Sequence, residues 1–169
     1  AKKNKIRIFR GSEKNKIKRW YDCAKYFGIK KFHTIDADDP YFDPSSIKKS
    51  LNSLNNRYNI ILPSNASRIG GASEGYSFSN FGISTLYESL FKYSFKKLET
   101  FDTEMIDKFI DNLHLKKKFF IGVKYEIKRN IRLTLDYKED FLLFETIFKN
   151  LYKDGEVFRL QQIIDLIKT

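Results

Sequence analysis

The sequence is poor in the residues that build disulfide-linked or metal-held scaffolds. Cys23 is the single cysteine among 169 residues, which excludes an intrachain disulfide and a cysteine cluster, and two distant histidines, His33 and His114, argue against a histidine-based zinc site. No apolar run approaches the roughly 18 residues of a membrane span, and the basic first residues lack the apolar core of a signal peptide. These absences predict a protein of the reducing cytoplasm with no membrane partner.

Apolar and aromatic residues are plentiful. They make up 41% of the chain and include 16 Phe and 10 Tyr, a composition unlike that of a disordered protein. A chain of this length is large enough to bury a sizeable core. We therefore predict one globular domain over residues 1–169.

The formal net charge of +11 raises the question of a nucleic-acid partner. The positive charge is densest before Phe32, where much of it falls at helical spacing beside aromatic residues, a pattern typical of solvated helix faces. The same field would attract small anions such as nucleotides or acidic sugars. Nucleic acid is therefore the less favoured partner.

Strand and helix patterns alternate along the first third of the chain. "KIRIF" (5–9) predicts a strand, Gly11 a turn and Ser12 the N-cap of a helix that ends at Gly28. "KKFHTID" and "YNIIL" predict two more strands, with a helix between them from Asp43-Pro44 to about residue 55. This alternation predicts an α/β fold with a mostly parallel sheet and helices on its faces.

The rest of the chain is less regular. We expect helices over about 80–98 and 103–113, strands in "KKFFIGVKYEI" and "NIRLTLD" with a hairpin over 128–130, and two closing amphipathic helices.

An acidic loop stands out in this basic chain. "TIDADDPYFDP" (34–44) lies in a stretch, 32–47, that has no Lys or Arg, and it carries four carboxylates: Asp36, Asp38, Asp39 and Asp43. Asp38 follows the second predicted strand, as Asp136 follows "NIRLTLD", and ligands of open α/β sheets bind beyond such strand ends. Mg²⁺ needs only one or two protein carboxylates. Helix capping is the alternative: it is favoured for Asp43, which precedes Pro44, and stays open for Asp38 and Asp136.

Several segments resemble a known family in order and spacing. "IFRGSEKNKIKRWYDCAKYF", "TIDADDPYFDP", "YNIILPSN" and "IRLTLDYKEDFLLFETIFKNLY" are similar to spore coat polysaccharide-type cytidylyltransferases, relatives of CMP-3-deoxy-manno-octulosonate and CMP-sialic acid synthetases. The family pattern includes Gly-Asp-x-Pro-Leu-x-Asp-Pro and Arg-Leu-Thr-x-Asp-x-x-x-Asp. The resemblance implies a three-layer Rossmann-like nucleotidyltransferase sheet, mostly parallel, with helices on both faces.

The resemblance also implies an activity and the residues for it. Such enzymes transfer CMP from CTP to a sugar, here an acidic one, with release of pyrophosphate and with Mg²⁺ as cofactor, for surface polysaccharide or glycan synthesis. It assigns catalysis and the metal to Asp38 and Asp136, the nucleotide to Arg10, Gly11, Ser12 and Arg19, and the sugar to Asn65 and Glu74. Ser12 as a helix cap, Arg19 as a solvated helix residue and Asn65 as a turn former remain open alternatives.

The sequence also departs from the family pattern. Asn15 and Lys16 stand where the family has an aspartate and an apolar residue, and Ala72 stands where an aspartate is frequent. No Gly-rich phosphate loop precedes Lys5, so the N-terminal strand-helix units are missing from this sequence. We expect either that Ala1 lies within a longer native chain or that the N-terminal part has been lost. A non-catalytic nucleotide- or sugar-binding remnant and a basic nucleic-acid-binding domain are the alternatives, and a homodimer stays open.

Overall fold

The computed structural model of the chain describes residues 6–55, 57–63, 69–70, 75–92, 101–120 and 131–168. Within these ranges the helices are α1 (Lys16–Tyr26), α2 (Pro44–Ser53), α3 (Asn80–Ser89), α4 (Asp107–Ile110), α5 (Lys138–Leu151) and α6 (Leu160–Lys168). A 3₁₀ turn, Leu90–Lys92, extends α3. The strands are β1 (Lys31–His33), β2 (Ile60–Pro63), β3 (Ile69–Gly70), β4 (Ser77–Ser79), β5 (Lys117–Phe120) and β6 (Ile131–Arg132).

The strands form two small sheets. One has the order β1-β4-β2-β5, and the other pairs β3 with β6 in parallel. The amide of Thr34 donates to the carbonyl of Tyr76, and the amide of Asn80 donates to that of Lys30, so β1 and β4 run antiparallel. The α/β class is confirmed, whereas the described residues do not show the predicted three-layer, mostly parallel sheet.

The start of the chain also differs from the prediction. Residues 6–9 pair with no strand, and α1 begins at Lys16, where Asn15 rather than Ser12 is the N-cap. The Asn15 side chain accepts the Lys18 amide at 2.9 Å and lies fully buried. A neutral amide caps the helix there without the cost of burying a carboxylate.

The chain divides into two compact units. Unit 1 comprises residues 1–32, 54–60 and 78–117. Its core is built around the buried ring of Phe78, whose centroid lies 5.7 Å from that of Trp20 and 5.5 Å from that of Phe32. Tyr21 of α1 stacks on Tyr87 of α3 at 4.4 Å. Aromatic contacts therefore join α1, α3 and the strands of this unit.

Unit 2 comprises residues 33–53, 61–77 and 118–169. The apolar faces of α5 and α6 pack with β6 and the residue that follows it into a core of Ile131, Leu133, Phe144, Ile147, Leu160, Ile163 and Ile164. Gly155, at φ +76°, lies in the turn between the two helices, where a side chain would strain the backbone. The predicted closing helices are thus confirmed.

The single domain over residues 1–169 stays a prediction. Of the other expected elements, the hairpin over 128–130 lies outside the described residues.

Gly82 is the glycine whose replacement best tests the packing of unit 1. A Cβ at this position of α3 would lie 2.3 Å from the Asn59 carbonyl oxygen. We expect Gly82→Ala to lower the free energy of unfolding by about 1–3 kcal/mol, despite the better helix propensity of Ala. Urea denaturation measures the change, with Ser84→Ala on the same helix as the control. Equal stability of the two variants would contradict this packing.

Candidate active site

The acidic loop begins where β1 ends. Thr34 fixes its start, because its amide donates to the Tyr76 carbonyl and its hydroxyl accepts the Tyr76 amide, each at 2.8 Å. The amide of Asp39 donates to the Asp36 carbonyl at 3.1 Å and closes a tight turn. Asp38 lies exposed in this turn. β1 ends at His33, so Asp38 lies in a turn beyond the strand and not directly after the strand that the sequence had predicted over "KKFHTID".

Asp43 ends the loop as a helix cap. Its Oδ1 accepts the Ser45 amide at 2.8 Å, and its carbonyl accepts the Ile47 amide at 3.1 Å. The Asp43 side chain thus satisfies the free Ser45 amide in the first turn of α2, and Pro44 has no amide hydrogen to satisfy. The capping interpretation of Asp43 is confirmed.

A backbone hydrogen bond brings the two predicted metal ligands to the same part of unit 2. The amide of Leu135 donates to the carbonyl of Asp38 at 2.8 Å. Asp136 directly follows Leu135, so the backbone of Asp136 lies close to that of Asp38. Both aspartate side chains are exposed. Two carboxylates on adjoining backbone segments can present oxygen ligands to one cation.

Asp136 is held by an ion-pair network. Arg132 forms a salt bridge with the Oδ2 atom of Asp136 through one guanidinium nitrogen and with Oδ2 of Asp140, at 3.1 Å, through the other. Its guanidinium also lies 5.2 Å from the ring centroid of Tyr137. The side chains of Arg132 and Asp136 are 43% and 44% exposed, so water reaches this pair.

Asp140, in the first turn of α5, stabilises the backbone of residues 136–137 through hydrogen bonds. Its Oδ2 atom accepts the Tyr137 amide at 2.8 Å and the Asp136 amide at 3.0 Å. These backbone hydrogen bonds, with the charge of Arg132, lower the pKa of the Asp140 carboxyl, so it is ionised at neutral pH. Sequence reasoning passed over Arg132 and Asp140, although both belong to the Arg-Leu-Thr-x-Asp-x-x-x-Asp pattern.

The donor chemistry of this segment suits Mg²⁺. The described residues contain no group of three or more His, Cys, Asp or Glu side chains that would hold a metal by themselves. Exposed carboxylates such as those of Asp38 and Asp136 are hard oxygen ligands, and Mg²⁺ commonly takes one or two of them with water and substrate phosphate oxygens. A site completed by a nucleotide therefore agrees with this geometry.

An apolar cavity of about 620 Å³ lies beside these segments in unit 2. Pro40 and Tyr41 of the acidic loop line it, as does Leu135. The Tyr41 ring stacks on Phe144 at 4.7 Å, and the Tyr41 hydroxyl donates to the Phe144 carbonyl at 2.9 Å. Burial raises the pKa of that hydroxyl, which favours its role as a hydrogen-bond donor.

The predicted nucleotide-binding residues lie in unit 1. The Arg19 guanidinium donates to the carbonyls of Ser12, at 2.8 Å, and Glu13, at 3.0 Å. These hydrogen bonds stabilise the loop before α1. The Ser12 hydroxyl accepts the Asn15 amide at 3.1 Å, whereas Arg10 is exposed. A Cβ on Gly11 would lie 2.8 Å from the Phe9 ring. Their nucleotide role stays a prediction, as does the sugar role of Asn65 and Glu74, which lie outside the described residues.

His33 anchors the end of β1 that leads into the acidic loop. Its Nδ1 atom lies 2.8 Å from the Ser77 hydroxyl, which lies 2.8 Å from the hydroxyl of Ser50 on α2. Gly75 packs closely on the ring, since a Cβ there would lie 2.6 Å from Nε2. Burial lowers the pKa of His33 to about 4, so the ring is neutral at physiological pH.

Comparison with known proteins shows a shared fold. Over 99% of its length the chain matches a solved cytidylyltransferase from Leptospira borgpetersenii serovar Hardjo-bovis, with a TM-score of 0.75, 20% identity and coverage of 68% of that chain. An uncharacterized protein of Methanocaldococcus jannaschii is 28% identical over 165 residues, which are 96% of this chain and 63% of that protein. The chain therefore spans less than two thirds of the length of this relative.

No family model matches the sequence. Within the described residues, none of the helices is both long and apolar enough to span a bilayer. Because the structural match extends over nearly the whole chain, we conclude that the chain has a cytidylyltransferase-like fold.

The buried His33 ring predicts a pH dependence of stability. The unfolded chain binds a proton below pH 6.5 whereas the folded chain does so only near pH 4, so the free energy of unfolding falls as the pH drops through this window. We expect a loss of about 1–2 kcal/mol from about pH 7 to about pH 5, allowing for the part of the ring that water screens. Urea denaturation at both pH values measures it.

Two variants separate this effect from other titrations. His33→Gln, whose amide can also bond to Ser77, should lose most of the pH dependence, whereas His114→Gln, at an exposed position, should retain it. A His33→Gln variant with the pH dependence of the unsubstituted protein would contradict the buried, neutral ring.

Proposed function

We propose that this chain is the greater part of a CTP-dependent cytidylyltransferase that activates a sugar as its CMP derivative. One observation carries the proposal: the Leu135 amide donates to the Asp38 carbonyl at 2.8 Å, so the backbone segments that bear Asp38 and Asp136 adjoin. The cytidylyltransferase-like fold supports it. Because the chain spans 63% of the length of its relative, the activity of a whole protein of this kind belongs to the proposal.

In the proposed reaction the oxygen of a sugar hydroxyl attacks the α-phosphorus of CTP, forms the new P–O bond and releases its proton to water. The bond between the α-phosphorus and the bridging oxygen breaks, and pyrophosphate leaves with that oxygen. Catalysis of such a transfer consists mainly of positioning and charge stabilisation. Asp38 and Asp136 would hold Mg²⁺, which neutralises negative charge on the phosphates when bound. Arg10, Gly11, Ser12 and Arg19 would line the nucleotide side, and Asn65 and Glu74 the sugar side.

The net charge of +11 supports an anionic substrate, because a positive field raises the local concentration of nucleotides and acidic sugars. An acidic sugar and a role in surface polysaccharide or glycan synthesis complete the proposal. Both rest on the resemblance to spore coat polysaccharide-type cytidylyltransferases.

The test is pyrophosphate release from CTP by the full chain as its own cells make it, with Mg²⁺ and candidate acidic sugars. Asp38→Asn and Asp136→Asn should each reduce the rate by at least about 100-fold, since even groups that only orient metal ligands contribute 10–100-fold. Asp165→Asn removes an exposed carboxylate of α6 in the same unit and should have no effect. Rates within about twofold of the unsubstituted enzyme in both site variants would refute the assignment.

Binding measurements separate the alternatives. Mg²⁺-dependent binding of CTP without turnover of any sugar would favour the non-catalytic remnant. If CTP does not bind while an oligonucleotide binds with an affinity that falls steeply with salt, the nucleic-acid-binding domain becomes the better explanation.

A further inference from the structure

We propose that Arg132 and Asp140 are positioning residues for Asp136, and that Arg132 is the resident cation which competes with a divalent metal ion for that carboxylate. The inference deepens the proposed function and rests on it. It assigns a role to two residues that neither the motif reasoning nor the proposed chemistry used.

Asp140 fixes the backbone around Asp136. A single oxygen, Oδ2, accepts the amides of Asp136 and Tyr137 and also the Arg132 guanidinium. The three contacts close the segment between β6 and α5 into one turn. Because Asp140 lies in the first turn of α5, the helix dipole favours its negative charge as well. The backbone that carries the Asp136 side chain is thereby held in place.

Arg132 fixes the side chain itself. The planar guanidinium reaches Asp140 with Nη1 and Asp136 with Nη2, and it lies over the ring of Tyr137. Such a fork orients a carboxylate and neutralises its charge. A divalent cation that binds Asp136 must then replace this contact or bind beside a positive charge, and either requirement lowers its affinity.

The two positioning residues should therefore have opposite effects on metal binding. Without Arg132, the Asp136 carboxylate loses a competing cation, so the metal binds more tightly. Without the charge of Asp140, Arg132 keeps Asp136 as its remaining carboxylate partner in this network, so the metal binds more weakly. A general loss of structure would weaken binding in both variants and would not give this pattern.

The experiment is a titration of the full chain with Mn²⁺, in which electron paramagnetic resonance measures the free ion. We expect Arg132→Gln to bind Mn²⁺ up to about fivefold more tightly, and Asp140→Asn up to about fivefold more weakly, as the energies of exposed ion pairs indicate. Arg132→Lys keeps the charge but loses the fork, and should lie between the unsubstituted protein and Arg132→Gln.

Lys149→Gln is the matched control, because it removes one exposed positive charge from the same unit. Lys149 pairs with Glu145 and lies about 16 Å along α5 from its first residue, beyond the screening length of about 8 Å in physiological salt. The affinity of the Lys149→Gln variant for Mn²⁺ should equal that of the unsubstituted protein. Melting temperatures measured without Mn²⁺ establish that each variant is folded.

The outcomes distinguish this inference from the proposed function. If Asp136→Asn abolishes Mn²⁺ binding while Arg132→Gln binds no more tightly than Lys149→Gln, the inference is wrong and the proposed site stands. If Asp136→Asn binds Mn²⁺ like the unsubstituted protein, the metal role of Asp136 and the inference are both wrong. If neither the unsubstituted protein nor Arg132→Gln binds Mn²⁺, the inference is wrong, whereas the proposed site, which a nucleotide completes, stands. Binding by Arg132→Gln alone would support the inference most directly.

Discussion

The candidate site depends on the backbone hydrogen bond between the Leu135 amide and the Asp38 carbonyl. Neither aspartate lies on a strand: β1 ends at His33 and β6 at Arg132, so pairing within the sheets does not by itself place the carboxylates. This hydrogen bond joins the acidic loop to the segment between β6 and α5, and each of these segments makes one further contact with α5. Tyr41 ties the acidic loop to α5 through Phe144, and Asp140 ties the other segment to the start of that helix. The site is therefore fixed by loop contacts around α5.

Among the side chains discussed above, the buried helix cap is neutral, whereas the carboxylates of the candidate site are exposed to water. Where the chain buries a helix cap, it uses the neutral Asn15, and the largely buried Lys16 reaches out to the exposed Glu104 at 3.2 Å. The carboxylates assigned to metal binding are instead exposed, and Asp136 is paired with an arginine. Burying an ionised group costs several kcal/mol unless it is paired, whereas an exposed one keeps most of its hydration. Asn15 thus caps α1 without a buried charge.

Local signals in the sequence predicted the helices of unit 2 well, the start of the chain less well, and strand pairing poorly. Asp43-Pro44 located the start of α2, and apolar periodicity predicted α5 and α6, because caps and amphipathic faces act within a few residues. The same signals do not say which strands pair. β1 and β4 proved antiparallel, and within the described part of "NIRLTLD" the strand is the two residues of β6. The motif pattern led to Asp38 and Asp136, but the contacts of Arg132 and Asp140 depend on a turn geometry that periodicity does not encode.

The Arg132 network affects orientation more than stability. Ion pairs as exposed as Arg132–Asp136 contribute only about 0–1 kcal/mol to the free energy of unfolding, because water competes for both partners. The same pair nevertheless restricts the direction in which the Asp136 carboxylate points, since a guanidinium bound on one side by Asp140 can meet it in few geometries. Because the Arg132–Asp136 pair is weak and exposed, replacing Arg132 by another cation requires little free energy. A carboxylate that is charged, oriented and only lightly held meets the requirements of a ligand whose metal arrives with the nucleotide.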